Sequence, residues 1–156
     1  MSEVRRRHVL IQAPIEDVWA VVSDPQTHPG WWPELVGVRA PEHAREGDRY
    51  VRVERRLGFL DQVDAVWVVE RLEHLKEAHF RCTSSGTYAR FALTAAQGDT
   101  FVEAEAGILP PNARWRAVKP VFELFFSRWL RDLLDRLPKV VARRRTEAET
   151  RSGATV

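Results

Sequence analysis

The middle of the chain alternates apolar and polar residues with a period of two. The pattern recurs in six consecutive segments, which are separated by short polar turns such as Ser84-Ser85-Gly86 and Gln97-Gly98-Asp99. This arrangement is typical of an antiparallel meander. An apolar run precedes the meander and predicts one further strand. We therefore predict seven strands, at residues 4–12, 35–39, 49–57, 62–72, 78–83, 87–94 and 100–107.

Helical periodicity occurs on both sides of the meander. On the amino-terminal side, apolar residues at positions 15, 18, 19 and 22 predict a short helix. Ser23-Asp24-Pro25 ends this helix, because the residue before a proline avoids the helical region. Residues 26–30 predict a second short helix or turn. On the carboxy-terminal side, one long helix with a broad apolar stripe begins near Val118, and Pro138 is expected to kink it.

These elements together predict an α+β fold. The apolar face of the sheet must be covered, and the last helix is the element long enough to cover it. A curved sheet wrapped around one helix leaves space between the two, and unfilled space there forms a ligand cavity. We predict a single domain over residues 1–145 of the 156-residue chain and a disordered polar tail over residues 146–156.

Composition excludes several classes of protein. The net charge is only +2, and the arginine clusters at residues 5–7 and 143–145 are expected to be solvated, so no nucleic-acid contact is predicted. The single cysteine, Cys82, excludes an internal disulfide and any multi-cysteine metal site. No apolar run approaches the roughly 18 residues that cross a bilayer, and the first residues do not resemble a signal peptide. We expect a cytoplasmic protein without stable membrane insertion.

The alternation assigns one face of each strand to the interior. The residues on this face include no acid, no base and no strong nucleophile: Val51, Val53, Val63, Ala65, Trp67, Val69, Phe80, Cys82, Ala89, Phe91, Leu93, Val102, Ala104 and Ala106. The opposite face takes the charged residues: Arg52, Glu54, Asp64, Glu70, Arg81, Arg90, Glu103 and Glu105. A shift of one residue in register would exchange the two sets on a strand.

Catalysis in such a cavity needs a titratable group within hydrogen-bond reach of the substrate. The candidates are His28, which would lie in a loop near the entrance, and Tyr88 and Arg90, which a bulge would turn inward. A solvated histidine in a turn is the alternative for His28. The histidines lack metal-ligand spacing, and the HExxH, GxSxG, GxGxxG and P-loop motifs are absent. We therefore expect neither a metal nor a cofactor.

The segment from Ala13 to Leu35 resembles the START-like (SRPBCC) superfamily, in particular its polyketide cyclase/dehydrase and lipid-transport branch. The resemblance rests on Ala13-Pro14-Ile15-Glu16-Asp17-Val18-Trp19, Ser23-Asp24-Pro25 and Trp31-Trp32-Pro33-Glu34-Leu35, and with the order of elements it covers residues 4–142. It implies a helix-grip fold, in which a curved antiparallel seven-stranded sheet wraps around a long C-terminal helix. It implies no single function, because the superfamily includes hydrophobic-ligand carriers, lipid-transfer domains, polyketide aromatase/cyclases and quinone-binding proteins.

The apolar inner face and this resemblance together predict the binding or transport of a small hydrophobic ligand without catalysis. A lipid, an isoprenoid or an aromatic polyketide-like molecule would fit this description. We expect Trp31, Trp32 and Leu35 to guard the mouth of the cavity. The remaining ligand contacts are expected at Val51, Trp67, Phe80 and Phe91 on the sheet and at Phe122, Phe125 and Trp129 on the helix.

Two alternative functions stay open. An aromatase/cyclase-like or hydrolase-like enzyme would need an ionisable group, such as His28, Tyr88 or Arg90, that points into the cavity. A protein-interaction module would have a large exposed apolar patch instead of a pocket. The sequence predicts neither the identity of the ligand nor the oligomeric state.

Overall fold

One antiparallel sheet holds seven strands in the residues that this computed structural model describes, which are 3–56, 61–108 and 119–153. The strand order is β1-β7-β6-β5-β4-β3-β2, so β1 and β2 form the two edges of the sheet. The strands are β1 (Glu3–Ile11), β2 (Leu35–Arg39), β3 (Arg49–Arg56), β4 (Asp61–Glu73), β5 (Glu77–Cys82), β6 (Thr87–Ala96) and β7 (Asp99–Ile108). The predicted meander and the predicted fold class are confirmed.

Two short helical segments connect β1 to β2. Helix α1 (Ile15–Val22) carries Glu16 and Asp17 in its first turn, where the helix dipole favours negative charge. A 3₁₀ turn (Pro25–Gly30) follows, and the Asp24 side chain caps it by accepting a hydrogen bond of 3.0 Å from the backbone N–H of Gln26. This connection carries Trp31-Trp32 into the core immediately before β2 begins.

The long C-terminal helix, α2 (Lys119–Gly153), packs against β1, β7 and α1. It does so with a buried apolar stripe formed by Phe126, Leu130, Leu133, Leu134, Leu137, Val140 and Val141. The stripe follows the spacing that the sequence predicts, because residues three and four apart share one helix face. The helix continues through Pro138, and a kink at that residue stays a prediction.

Helical structure extends further toward the C-terminus than the sequence predicts. Residues 146–153 continue α2, whereas the sequence predicts a disordered tail from residue 146. The Thr146 and Thr150 hydroxyls donate hydrogen bonds to the carbonyls of Ala142 and Thr146, which occupies polar groups within the helix itself. The domain boundary at residue 145 stays a prediction.

The prediction for the inner face is wrong on one strand, β3. Tyr50 pairs directly with Trp67, and Arg52 pairs directly with Ala65, on β4. Directly paired residues share a face of an antiparallel sheet, and Trp67 and Ala65 are buried on the inner face. Tyr50 and Arg52 therefore point inward, and Val51 points outward. The sequence pattern allows either set of alternate β3 residues to face inward. In the structure, the set that contains Tyr50 faces the core.

Candidate functional site

A cavity of about 660 Å³ lies between α2 and the inner face of the sheet near β2–β5. Its apolar wall combines residues from the start of β2, from β4 and from α2: Pro33, Leu35, Trp67, Phe125, Phe126 and Trp129. Its polar wall comes from the residue before β2, from β3, from the end of β5, and from the β5–β6 turn with the first residue of β6: Glu34, Arg52, Glu54, Arg55, Cys82, Ser84, Ser85 and Thr87. The cavity therefore has one aromatic side and one polar side.

An aromatic cluster of His28, Trp31, Trp32, Phe80 and Phe91 lies behind this wall. Trp32 is at its centre: its ring is 4.5 Å from His28 in a stacked geometry and contacts Phe80 and Phe91 as well. Both tryptophans are almost fully buried, at 0% exposure for Trp31 and 1% for Trp32. The expectation that they guard the mouth is therefore wrong, because this pair belongs to the core that supports the cavity.

Arg52 is the charged residue at the junction of the aromatic cluster and the cavity. Its Cζ atom lies 4.1 Å from the ring centroid of Trp32 and 4.1 Å from that of Trp67. These distances are within the range of cation–π attraction. The side chain is 3% exposed, and its Nε and Nη1 atoms have no hydrogen-bond partner in the described part of the chain. The aromatic rings thus stabilise the cation but leave two of its donor atoms unsatisfied.

Glu54 completes this group on the cavity wall. Its Oε1 atom accepts a hydrogen bond of 3.1 Å from Trp67 Nε1 and lies 3.6 Å from Arg52 Nε. Burial lowers the pKa of Arg52, and the neighbouring Tyr50 and Glu54 oppose that shift. Burial also raises the pKa of the Tyr50 hydroxyl. The predicted absence of ionisable groups on the inner strand face is therefore wrong at β3.

His28 lies in the aromatic cluster and not at an entrance. It is 0% exposed, and its Nε2 atom donates a hydrogen bond of 3.2 Å to the carbonyl of Val22, so Nδ1 is the unprotonated nitrogen. Burial and then the charge of Arg52 hold the pKa of His28 well below 6.5. A solvated histidine is excluded, and His28 does not line the cavity.

Tyr88 and Arg90 lie on the outer face of the sheet, as the alternation predicts, and no bulge turns them inward. The Tyr88 hydroxyl donates a hydrogen bond of 3.0 Å to Glu105 Oε1. Arg90 Nε donates one of 2.7 Å to Glu77 Oε1, and this pairing raises the pKa of Arg90 and lowers that of Glu77. These residues form an ion-pair network on the side of the sheet opposite the cavity.

The predicted ligand contacts divide into three groups. Leu35, Trp67, Phe125 and Trp129 line the cavity. Phe80 and Phe91 are buried behind it in the aromatic cluster, and Val51 faces the other way. The side chain of Phe122 lies outside the described residues. The predicted contacts do not include Phe126, Arg52 or Glu54, which also line the cavity. The signal for Arg52 and Glu54 is Tyr50, an aromatic residue among the alternate β3 residues that were assigned to solvent.

Cys82 is buried beside the polar turn that follows β5. Its Sγ atom is 3.4 Å from Ser84 Oγ. Burial acts to raise the pKa of the thiol, but hydrogen bonds with Ser84 and Ser85 outweigh burial and lower it. Among the described residues, no group of three or more histidine, cysteine, aspartate or glutamate side chains could hold a metal ion.

Three apolar side chains near the start of α2 are exposed to solvent. Val121, Leu124 and Phe125 lie three and four positions apart, so they share one face of the helix, and Phe125 also lines the cavity. In the described part of the chain, no helix is long and apolar enough to span a membrane.

Comparisons with solved structures identify the same fold elsewhere. The chain is similar to a START superfamily protein from Mycobacterium smegmatis, with 17% identity, a TM-score of 0.69, and coverage of 90% of this chain and 97% of that one. A Nitrosomonas europaea protein is similar with 14% identity, a TM-score of 0.73, and coverage of 92% of this chain and 96% of that one. The Zhui aromatase/cyclase from a Streptomyces species is similar with 12% identity, a TM-score of 0.68, and coverage of 92% of this chain and 96% of that one. At these identities the likeness shows the fold alone.

A family match covers most of the sequence. No curated protein matches the chain, but residues 3–142 match the family described as polyketide cyclase/dehydrase and lipid transport. The matched range contains the Ala13–Leu35 segment, the whole sheet and most of α2. The resemblance read from the sequence is thereby confirmed. The chain belongs to the polyketide cyclase/dehydrase and lipid transport family.

Proposed function

We propose that this protein binds a small hydrophobic molecule with aromatic or extended apolar character in the cavity between α2 and β2–β5. The observation that carries the proposal is the cavity itself, about 660 Å³ in volume with Trp67, Phe126 and Trp129 on its wall. Ligand pockets in proteins range over about 300–1,000 Å³ and are lined mainly by apolar and aromatic side chains. The family description and the shared fold agree with this proposal.

Apolar burial supplies the affinity in this proposal. Removing apolar surface from water contributes about 25 cal/mol per Å², and the loss of ligand freedom offsets part of that gain. The aromatic cluster makes the wall rigid, because Trp32 contacts both Trp67 and Trp129 with ring centroids 6.0 and 5.3 Å apart. A rigid wall reduces the conformational entropy that binding must remove.

The test is a titration with pyrenebutanol, a neutral probe whose emission bands report an apolar environment. We expect saturable binding to the wild type and an affinity about tenfold to a hundredfold lower for Trp129→Ala, since one large apolar contact contributes about 1.5–3 kcal/mol. Leu124→Ala is the matched control, because Leu124 lies on the same helix, is 56% exposed and does not line the cavity. Emission that stays as in water with the wild type would exclude the proposal.

A second function is supported by one observation, the presence of Arg52 and Glu54 on the cavity wall. In a cyclase/dehydrase, a guanidinium can polarise a ketone so that an enol carbon of the same chain attacks it, and the resulting aldol loses water. Incubation with a synthetic poly-β-ketone followed by mass spectrometry tests this function. A product lighter by one water that Arg52→Met does not form would support catalysis; recovery of unchanged polyketone would leave binding as the function.

A further inference from the structure

Burying Arg52 without partners for all its donors is energetically unfavourable, and binding a purely hydrophobic ligand gives no reason for it. It is a buried cation where the aromatic side of the cavity meets the polar side, and its Nε and Nη1 atoms have no hydrogen-bond partner in the described residues. Buried donors in native proteins almost always have a partner, so each exception calls for a physical reason. The indole rings of Trp32 and Trp67 attract the positive charge but offer no oxygen lone pair to its N–H groups.

Unpartnered polar atoms concentrate around this arginine. In the described part of the chain, six buried side-chain polar atoms lack a partner, and five of them belong to His28, Trp32, Tyr50 and Arg52. These residues are contiguous, because His28 stacks on Trp32, Trp32 contacts Arg52, and Tyr50 precedes Arg52 on the same face of β3. Of the four, Arg52 is the one that lines the cavity.

Glu54 does not satisfy the guanidinium. Its Oε1 atom accepts the Trp67 Nε1 hydrogen, and its 3.6 Å separation from Arg52 Nε is longer than a hydrogen bond. The carboxylate therefore balances the charge of Arg52 from one side, while Nε and Nη1 stay without a hydrogen-bond partner. A ligand acceptor would meet an available cation and, close by, an opposing negative charge.

We propose that Arg52 binds a carboxylate of the ligand, so that the cavity takes hydrophobic carboxylic acids in preference to neutral molecules with the same apolar body. This inference rests on the proposed function, since the apolar body would occupy the aromatic side of the cavity. Hydrogen bonds between charged partners are about twice as strong as neutral ones. Glu54 moderates the affinity, because its charge repels the bound carboxylate.

The experiment compares pyrenebutyrate with pyrenebutanol at neutral pH, because the two probes differ only in the group that Arg52 would contact. We expect the wild type to bind the acid about tenfold more tightly than the alcohol. Arg52→Gln should abolish this preference, so that the acid loses about tenfold more affinity than the alcohol does. Glu54→Gln should strengthen acid binding severalfold, which is a change in the opposite direction.

Each outcome of this comparison is decisive. Equal affinities for acid and alcohol in the wild type, or an acid preference that survives Arg52→Gln, would overturn the carboxylate site while leaving the hydrophobic cavity in place. An equal loss of affinity for both probes with Arg52→Gln would make Arg52 a structural residue and also overturn it. Failure of both probes to bind the wild type would overturn the proposed function. If Arg52→Gln does not fold, Arg52→Lys and Glu54→Gln decide, with a partly retained and an increased acid preference expected.

Discussion

At the scale of single residues, Trp32 joins the family segment to the site. One face of its ring system stacks on His28, and Arg52 lies 4.1 Å from its ring centroid. Its contacts therefore connect the 3₁₀ turn, β3 and the cavity wall. The paired tryptophans are buried, so they contribute to the packing of the fold and not to the rim of the cavity.

The burial of His28 predicts a pH dependence of stability. The folded state holds the pKa of His28 well below 6.5, so below pH 6.5 the unfolded chain takes up a proton that the folded protein does not. The free energy of unfolding should fall with decreasing pH by up to about 1.4 kcal/mol per pH unit from this group. Urea unfolding at a series of pH values measures how the free energy of unfolding depends on pH. His28→Gln should reduce the slope, and an identical slope in both proteins would contradict this account.

Arg52 predicts a conflict between stability and binding. An unsatisfied buried donor costs about 1–3 kcal/mol, and two cation–π contacts offset part of the total. An apolar residue of similar volume removes this cost, and it leaves no buried unpaired charge, because the Glu54 side chain is 24% exposed and accepts the Trp67 Nε1 hydrogen. We expect Arg52→Met to raise the free energy of unfolding by about 1 kcal/mol while it abolishes the preference for the acid probe. A clear loss of stability in urea unfolding would contradict this prediction.

The sequence could not show which alternate residues of β3 face inward. In the segment Arg49-Tyr50-Val51-Arg52-Val53-Glu54 either set is possible, and a count of apolar residues favours the set with the two valines. In the fold, Tyr50 and Arg52 gain contact with the aromatic cluster, which comes from distant parts of the chain. Local pattern contains no information about such contacts. The inward face was predictable for β5, β6 and β7, because in each of them one set of alternate residues holds most of the apolar side chains.

At the scale of elements, α2 has two roles that the sequence only partly separates. The buried stripe from Leu130 to Val141 packs in the core, and the earlier turns contribute Phe125, Phe126 and Trp129 to the cavity. The 3.6-residue period predicted the existence and the stripe of this helix. It could not predict which turns meet protein atoms and which meet open space, because an apolar residue satisfies either environment.

Truncation of two leucines of α2 tests how much the buried stripe of this helix contributes to stability. Leu137 is fully buried, and truncation of such a side chain removes contacts and leaves a cavity. We expect Leu137→Ala to lower the free energy of unfolding by about 2–5 kcal/mol. The matched variant Leu124→Ala should change it by less than about 0.5 kcal/mol, because Leu124 is exposed. Equal effects in thermal or urea unfolding would contradict the packing of α2 described above.

At the scale of the whole molecule, the fold brings a thiol to the wall of the proposed binding cavity. Cys82 is the single cysteine of the chain and lines the cavity beside Ser84 and Ser85. Its lowered thiol pKa favours the thiolate, which is the nucleophile in alkylation. A ligand in the cavity would block access to the sulfur from that side.

Alkylation of Cys82 therefore reports cavity occupancy. We expect N-ethylmaleimide to modify the protein once, and saturating pyrenebutanol to slow this reaction about tenfold, as followed by intact-protein mass spectrometry. Cys82→Ser is the control for modification at other groups. A rate that is independent of the probe, although binding is saturated, would place the ligand elsewhere.

The family and the fold can be predicted from the Ala13–Leu35 segment and from the alternation in the strands. The choice of ligand depends on which side chains line the cavity. Native mass spectrometry of protein freshly purified from its host shows whether the cavity holds a ligand. We predict a co-purifying small molecule that is bound by the wild type and lost from Trp129→Ala, with a carboxylic acid as its polar group. A spectrum that contains only the bare polypeptide, or a ligand that Trp129→Ala retains equally, would contradict binding in this cavity.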